Sequence, residues 1–223
     1  MCLILAAWRA APEYRLVVAA NRDEFHARAA APAQFWEDRP AILAGRDLQA
    51  WGTWMGVDRR GRFGAVTNYR GAHEPSAPHS RGALVTGFLA NGTAPGPYIR
   101  GLNGKEYSGF NLLLADGEEF WWLSNRDGSP RALRPGVYGL GNLLLDSPEV
   151  DEAKERLTHA LAHGPAIESL FEVLATARIR HPVYGTRCST VLTIGERVRY
   201  AERVFGPDGE PGETRHFEFS PAP

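Results

Sequence analysis

Two apolar runs at the start of the chain, CLILAAW at 2–8 and RLVVAAN at 15–21, are separated only by the turn-like RAAPEY. Each run suits a buried strand and is far too short to span a bilayer. Together they predict a hairpin of two core strands, so the chain begins inside a sheet. The second run does not fade into a turn. It passes straight into Asn21, Arg22, Asp23 and Glu24, with no glycine or proline to break it. An ion-paired turn in solvent and a polar cluster held at a strand end for chemistry both fit that stretch.

The remaining pattern sets the fold class. From Ala31 to Gly52 the sequence turns irregular, which predicts a long loop that covers something. TWMGVD and RFGAVTNY flank the turn RRG and predict a second hairpin, ending in Asn68, Tyr69 and Arg70. GAHEPSAPHS reads as another loop, and Ser80 stands where it would cap a helix over SRGALVTGFLAN. PGPYIRGLNG adds a second short helical piece. FNLLLAD and EFWWLSN predict strands on either side of DGEE, and PGVYGLGNLLL predicts a further strand ending near Asn142. In SPEVDEAKERLTHALAH the residues Val150, Ala153, Leu157, Ala160 and Leu161 fall on one helical face. AIESLFEVLATAR reads as a second helix, and TVLTIG, VRYAERVF and TRHFEF close the chain as strands. This order argues for an α+β protein with two antiparallel sheets and outer helices, not for alternating βαβ units. One domain is expected over residues 1–223, with only SPAP at 220–223 loose.

Charge and cysteine usage exclude several function classes. The chain carries 25 Lys plus Arg against 26 Asp plus Glu, so no overall field draws it to nucleic acid. A small molecule is the expected partner, and no membrane span is expected; oligomeric state is not legible. The two cysteines, Cys2 and Cys188, make no disulfide framework, which suits a reducing compartment and predicts a cytoplasmic location. The seven histidines form no HExxH and pair with no cysteine motif, so no metal site is expected. GxGxxG, GxxxxGK[ST] and CxxCH are all missing from the sequence.

Cys2 is the most informative residue. If Met1 is removed, Cys2 carries a thiol and a free α-amine, with reference pKa values of roughly 8.5 and roughly 8, so nucleophile and base share one residue. The same cysteine, set among Leu3, Ile4 and Leu5, also fits a small buried hydrophobe. An N-terminal nucleophile needs a group to orient its amine, a cation to favour the thiolate and donors for the oxyanion. Asn21, Arg22 and Asp23 supply all three types, and an antiparallel hairpin returns them to the start of the first strand. Asn68, Asn111 and Asn142 are amide candidates for the oxyanion, and each also fits a turn or cap. Arg187 in YGTRCST could hold a substrate carboxylate or developing charge, and a surface ion pair fits it equally. Trp51 and Trp54, with Trp36 nearby and Tyr69 and Arg70 at the hairpin end, are candidates to bind a flat apolar ligand; core packing is the competing reading.

Taken in order, MC at the start, AANRDEF at 19–25, LAGRDL at 43–48, GTWMGV at 52–57, AVTNYR at 65–70, GFNLLL at 109–114 and GTRCSTVL at 185–192 resemble one family over nearly the whole chain. It is the NRDE family, also called the transport and Golgi organisation protein two family. The resemblance implies a four-layer αββα sandwich like that of the N-terminal-nucleophile hydrolases. It also implies an association with haem trafficking and with lipid or acyl-CoA metabolism. Cys2 is similar to the N-terminal cysteine of the distantly related choloylglycine and penicillin V acylases, with Arg22 and Asp23 in a comparable second-strand position. Where the family usually reads GGTW, this chain has Trp51, Gly52, Thr53 and Trp54. Two functions are therefore expected. The first is hydrolysis of a C–N amide bond by Cys2 with no cofactor required; the alternative is a non-catalytic carrier of haem or another hydrophobic ligand on the same fold.

Overall fold

The first apolar run becomes strand β1 (Leu3–Ala11), and the second becomes β2 (Tyr14–Phe25), whose twelve residues carry the strand through the whole NRDEF stretch. The two pair antiparallel with Leu3 opposite Asn21, so the polar end of β2 lies beside the beginning of β1. The computed structural model describes residues 2–71 and 77–222. Met1, and His73 with its neighbours in GAHEPSAPHS, lie outside the described residues.

The chain packs as two compact units. The first takes the chain through Arg28, then Pro135–Gly141 and Leu145–Pro221. Besides β1 and β2 it holds β10 (Gly136–Leu140), α3 (Asp151–Ala162), α4 (Ile167–Ala175), β11 (Tyr184–Ile194), β12 (Val198–Phe205) and β13 (Pro211–Phe219). Among the described residues its strands form one antiparallel sheet in the order β10-β1-β2-β11-β12-β13. Odd-numbered residues Leu3, Leu5, Ala7, Val17, Ala19, Val191 and Ala201 project from one face of this sheet. They pack against Ala153, Leu157 and Ala160 of α3 and Leu170, Phe171 and Leu174 of α4. That is the helical face read from the sequence, with Leu161 packed at its border. Period-two alternation then fixes the other face: Cys2, Ile4, Ala20 and Arg22 point away from the helices.

The second unit comprises Ala29–Arg134 and Asn142–Leu144 with the chain end at Ala222. Its elements are β3 (Ala30–Phe35), β4 (Ile42–Asp47), β5 (Met55–Asp58), β6 (Phe63–Asn68), α1 (Gly82–Ala90), α2 (Pro95–Arg100), β7 (Phe110–Ala115), β8 (Phe120–Ser124) and β9 (Arg131–Ala132). The strands make an antiparallel sheet in sequence order. One face packs Ile42, Val66, Leu112 and Leu114 against Leu84, Val85 and Phe88 of α1 and Ile99 of α2. Helix α1 approaches closely because Gly52 leaves room for it: a Cβ there would sit 2.8 Å from the carbonyl carbon of Gly82. The RRG turn is anchored by a buried pair, Arg62 Nε to Asp58 Oδ2 at 3.0 Å, and Arg62 also donates to the carbonyl of Phe88 at the end of α1.

Two expectations change. The irregular stretch 31–52 is not a single loop, since it contains β3 and β4. Its alternation is masked because β3 is an edge strand that holds Pro32 at a register shift between Ala31 and Gln34, where no ladder donor is required. Helix α1 begins after Arg81 with no side-chain cap, so Ser80 contributes only its carbonyl, to Ala83 N. In the SPAP tail, Ala222 N donates to Arg59 O at 2.7 Å.

Candidate active site

The candidate site is the end of β2 with the strands on either side of it, all within the first unit. β11 runs past this end on the side opposite β1. Ser189 pairs with Asn21, Cys188 with Arg22, Thr186 with Asp23 and Tyr184 with Phe25, with Arg187 bulged out between Cys188 and Thr186. A strand end that would otherwise fray into solvent is thus enclosed, which is why Asn21, Arg22 and Asp23 are all buried.

Cys2 is half-buried, and its Sγ lies 3.4 Å from both the amide nitrogen and the carbonyl oxygen of Asp23. The amide donates to sulfur and the thiol donates to the carbonyl, so the Asp23 main chain holds the sulfur by both of its polar groups. Burial, followed by the Asp23 charge, pushes the thiol up to about 11. The hydrogen bond from the Asp23 amide and the nearby Arg22 guanidinium pull the other way. The sulfur is therefore protonated at neutral pH and needs a base to become a nucleophile.

The Asp23 carboxyl is raised above its ordinary range by burial, a shift opposed in part by the Thr186 hydroxyl, which donates to Oδ1 at 2.6 Å. Thr186 is itself fixed, because its Oγ1 accepts from Ile179 N at 2.8 Å. Tyr184 donates its hydroxyl to the Asp23 carbonyl at 3.3 Å. Neighbouring Gly185 must be glycine, since a Cβ there would lie 2.9 Å from Ile179 O. Glu24 faces elsewhere: its carboxylate lies 3.6 Å from Arg22 Nη2 and 3.8 Å from Arg28 Nε. Of the two acids in NRDE, Asp23 is the one whose backbone holds Cys2.

The other sequence candidates separate by position. Asn21 belongs to the helix-side face, where its Nδ2 donates to Leu174 O at 3.0 Å and its Oδ1 accepts from Ser189 Oγ at 2.6 Å. It ties β2 to the end of α4 and to β11, on the face away from Cys2. Arg22 shares the Cys2 face and lowers the thiol pKa of both Cys2 and Cys188. Cys188 is buried, and burial and the Glu202 charge hold its thiol well above its ordinary value. The two sulfurs cannot bridge. Their strands flank β2, two strand spacings or about 9.5 Å apart, whereas a disulfide needs Cα atoms within about 7 Å. Arg187 directs Nη1 at three carbonyls, those of Phe25, His26 and Arg28, at 3.1, 3.3 and 2.9 Å, and so pins the chain where it leaves β2.

Asn68, Asn142, Trp51, Trp54, Tyr69 and Arg70 belong to the second unit. There Asn142 Nδ2 donates to Asn68 O at 2.7 Å, Asn68 Oδ1 accepts from Arg81, and Arg70 N donates to Asn142 O at 2.6 Å. Asn111 spends its amide on Leu143 O and Thr67 Oγ1. Trp54 is partly buried against the core of that unit, and Tyr69 is half-buried. Trp51 is 62% exposed with φ of 59°, and the Arg46 guanidinium lies 5.2 Å from its ring centroid and 4.2 Å from that of Trp36. Among the described residues no group of three or more His, Cys, Asp or Glu could hold a metal, and no helix is long and apolar enough to cross a membrane.

Thr186 and Tyr184 are absent from the sequence candidates. The signal that could have found them is YGTRCST itself, a polar stretch leading into an apolar strand, as NRDEF trails one; antiparallel neighbours of that kind bring their polar ends together.

The profile of the family described as Transport and Golgi organisation 2 matches residues 1–207. The human Transport and Golgi organization protein 2 homolog is 33% identical, with 99% of each chain covered. The Drosophila melanogaster Transport and Golgi organization protein 2 is 29% identical over 76% of this chain and 69% of its own. Among solved structures, a Caenorhabditis elegans N-acylethanolamine-hydrolyzing acid amidase ortholog superposes with a TM-score of 0.58 at 13% identity, covering 86% of this chain and 92% of that one. The C2A mutant of the conjugated bile acid hydrolase from Clostridium perfringens gives 0.59 at 10% identity, covering 99% and 97%. The α+β fold is thus that of the N-terminal-nucleophile hydrolases.

Proposed function

From the premise that the chain belongs to the Transport and Golgi organisation 2 family and has an N-terminal-nucleophile hydrolase fold, we propose that it hydrolyses a C–N amide bond in a small molecule. The observation that carries this reading is the grip of the Asp23 main chain on the Cys2 sulfur, 3.4 Å from each polar group. The reading is supported by the names of two fold neighbours, an N-acylethanolamine-hydrolyzing amidase and a conjugated bile acid hydrolase, the latter solved as a mutant at a cysteine in position two.

Removal of Met1 supplies the missing base. The α-amine of Cys2 takes the thiol proton, Sγ bonds to the amide carbonyl carbon, and the C–N bond breaks as the leaving nitrogen collects that proton. A thioester remains. Water then attacks it with the same amine as base, the carboxylic acid departs, and the thiol is restored. Asp23 orients the amine, Thr186 fixes Asp23, and Arg22 favours the thiolate. The test is turnover of a panel of N-acyl amides by wild type and Cys2→Ala, with native circular dichroism as the folding control. The variant is expected to lose at least about a thousandfold in rate; turnover equal to wild type rules the mechanism out.

A second reading, a carrier of haem or another flat hydrophobic ligand in a cell's trafficking routes, is supported by Trp51, a large ring held exposed on a left-handed backbone. Haem titration followed at the Soret band is expected to saturate and to weaken in Trp51→Ala; unsaturable binding contradicts it.

A further inference from the structure

A second concave surface lies wholly within the second unit, in a groove of about 750 Å³ bordered by α2, by the loop from Leu102 to Ser108 and by the end of β8. Its volume falls in the range of small-ligand sites. The groove has two layers of opposite character. Ile99, Leu102, Tyr107 and Leu123 form an apolar, largely buried floor, and Arg100, Lys105 and Arg126 stand exposed around it. No Asp or Glu lines it among the described residues. The nearest acid on the loop, Glu106, turns to the Asn103 amide at 3.1 Å and to His79 at 3.8 Å. In a chain whose net charge is −1, three cations on one small rim without a lining acid are a local concentration of positive charge.

The wall is built before any ligand arrives. Asn125 reaches across from the end of β8, and its Nδ2 lies 3.0, 3.2 and 3.4 Å from the carbonyls of Gly104, Tyr107 and Ser108. Its Oδ1 accepts from Phe110 N at 2.8 Å. The Asn103 side chain accepts from Lys105 N, which fixes the short turn that carries the lysine. Arg100 is steadied from the other side, its guanidinium 5.0 Å from the ring centroid of Trp121. A preorganised apolar floor under a cationic rim selects a ligand with two parts.

We propose that this groove binds a phosphomonoester of an apolar alcohol. The hydrocarbon body covers the floor, and the phosphate, which carries about −1.5 to −2 charge at neutral pH, is shared by Arg100, Lys105 and Arg126. A monocarboxylate brings less charge to the rim than a phosphate does, and inorganic phosphate leaves the floor uncovered. Binding in this groove does not depend on Cys2 chemistry.

The test is calorimetric titration of the full chain with naphthyl phosphate, naphthol and inorganic phosphate, at low and high salt. Naphthyl phosphate is expected to bind saturably and more tightly than either half-molecule, with affinity falling as salt rises. Lys105→Gln and Arg100→Gln, both at exposed positions, are each expected to weaken it roughly three- to fivefold. Arg39→Gln, an exposed change elsewhere in the same unit, is expected to leave the affinity unchanged. Naphthol binding as tightly as its phosphate, or equal affinity in Lys105→Gln, Arg100→Gln and Arg39→Gln, overturns the proposal, as does absence of saturable binding by folded wild type.

Discussion

Two strands of this protein run into similar polar words: β2 passes through Asn21, Arg22 and Asp23 near its end, and β6 ends at Asn68 with Tyr69 and Arg70 following. The first set is buried, whereas Asn68 and Arg70 are exposed. The difference comes from the neighbours. β2 is flanked to its last residue by β11, which continues as far as Tyr184 opposite Phe25, and β1 begins alongside Asn21. β6 has a partner at Asn68 on the β7 side only, since its pairing with β5 stops at Ala65. Asn68 and Arg70 are then held by Arg81 and Asn142 at the surface. The same polar residue types therefore serve different ends: enclosed by strands they surround a carboxyl and a thiol that burial raises, and at a strand tip they tie loops together.

The widest contrast expected is chemical. In chain that still carries Met1, the Cys2 thiol at about 11 is expected to react with iodoacetamide about a hundredfold more slowly at neutral pH than in denatured chain, with Cys188→Ser removing the second thiol from the count. The sign for stability follows. A raised thiol pKa contributes stability fully below its ordinary value of 9.0, and that contribution is lost as pH climbs through about 11. Melting temperature over that window is expected to fall further for wild type than for Cys2→Ala.

Asn21→Ala is expected next, at a cost of about 2–4 kcal/mol in urea unfolding, because it deletes buried hydrogen bonds to both Leu174 and Ser189. A cost below about 1 kcal/mol contradicts the enclosed picture of this strand end. Asp23→Asn separates chemistry from stability. The Asp23 carboxyl is raised by burial, so its stabilising contribution is present at acid pH and lost as pH rises through its folded value. The asparagine variant is therefore expected to melt higher than wild type at neutral pH while amide turnover falls; a lower melting temperature breaks the assignment. Smallest is Asn68→Ala, expected within about 0.5 kcal/mol because it removes a bond at an exposed strand tip.

The comparison also shows how much the sequence could say. The β1–β2 hairpin and the apolar face of α3 were legible because each obeys a clean period, two in the strands and three to four in the helix. β3 and β4 were not, because Pro32 and a bulge on an edge strand erase the alternation. The juxtaposition of Cys2 with Arg22 and Asp23 follows from antiparallel pairing alone. The place of Asn21 does not follow from residue type, which groups it with Arg22 and Asp23. Counting the pleat from Val17 and Ala19 assigns it to the helix side, where it meets Leu174. Arg187 and Thr186 depended on where β11 begins, and a polar strand start paired with a polar strand end carries no hydrophobic signal to mark it.

All of the chemistry proposed for Cys2 requires its own amine to be free. Intact-mass spectrometry of the protein purified from cells reports this directly. The account predicts a mass corresponding to a chain that begins at Cys2; a mass that retains Met1 in active protein contradicts it.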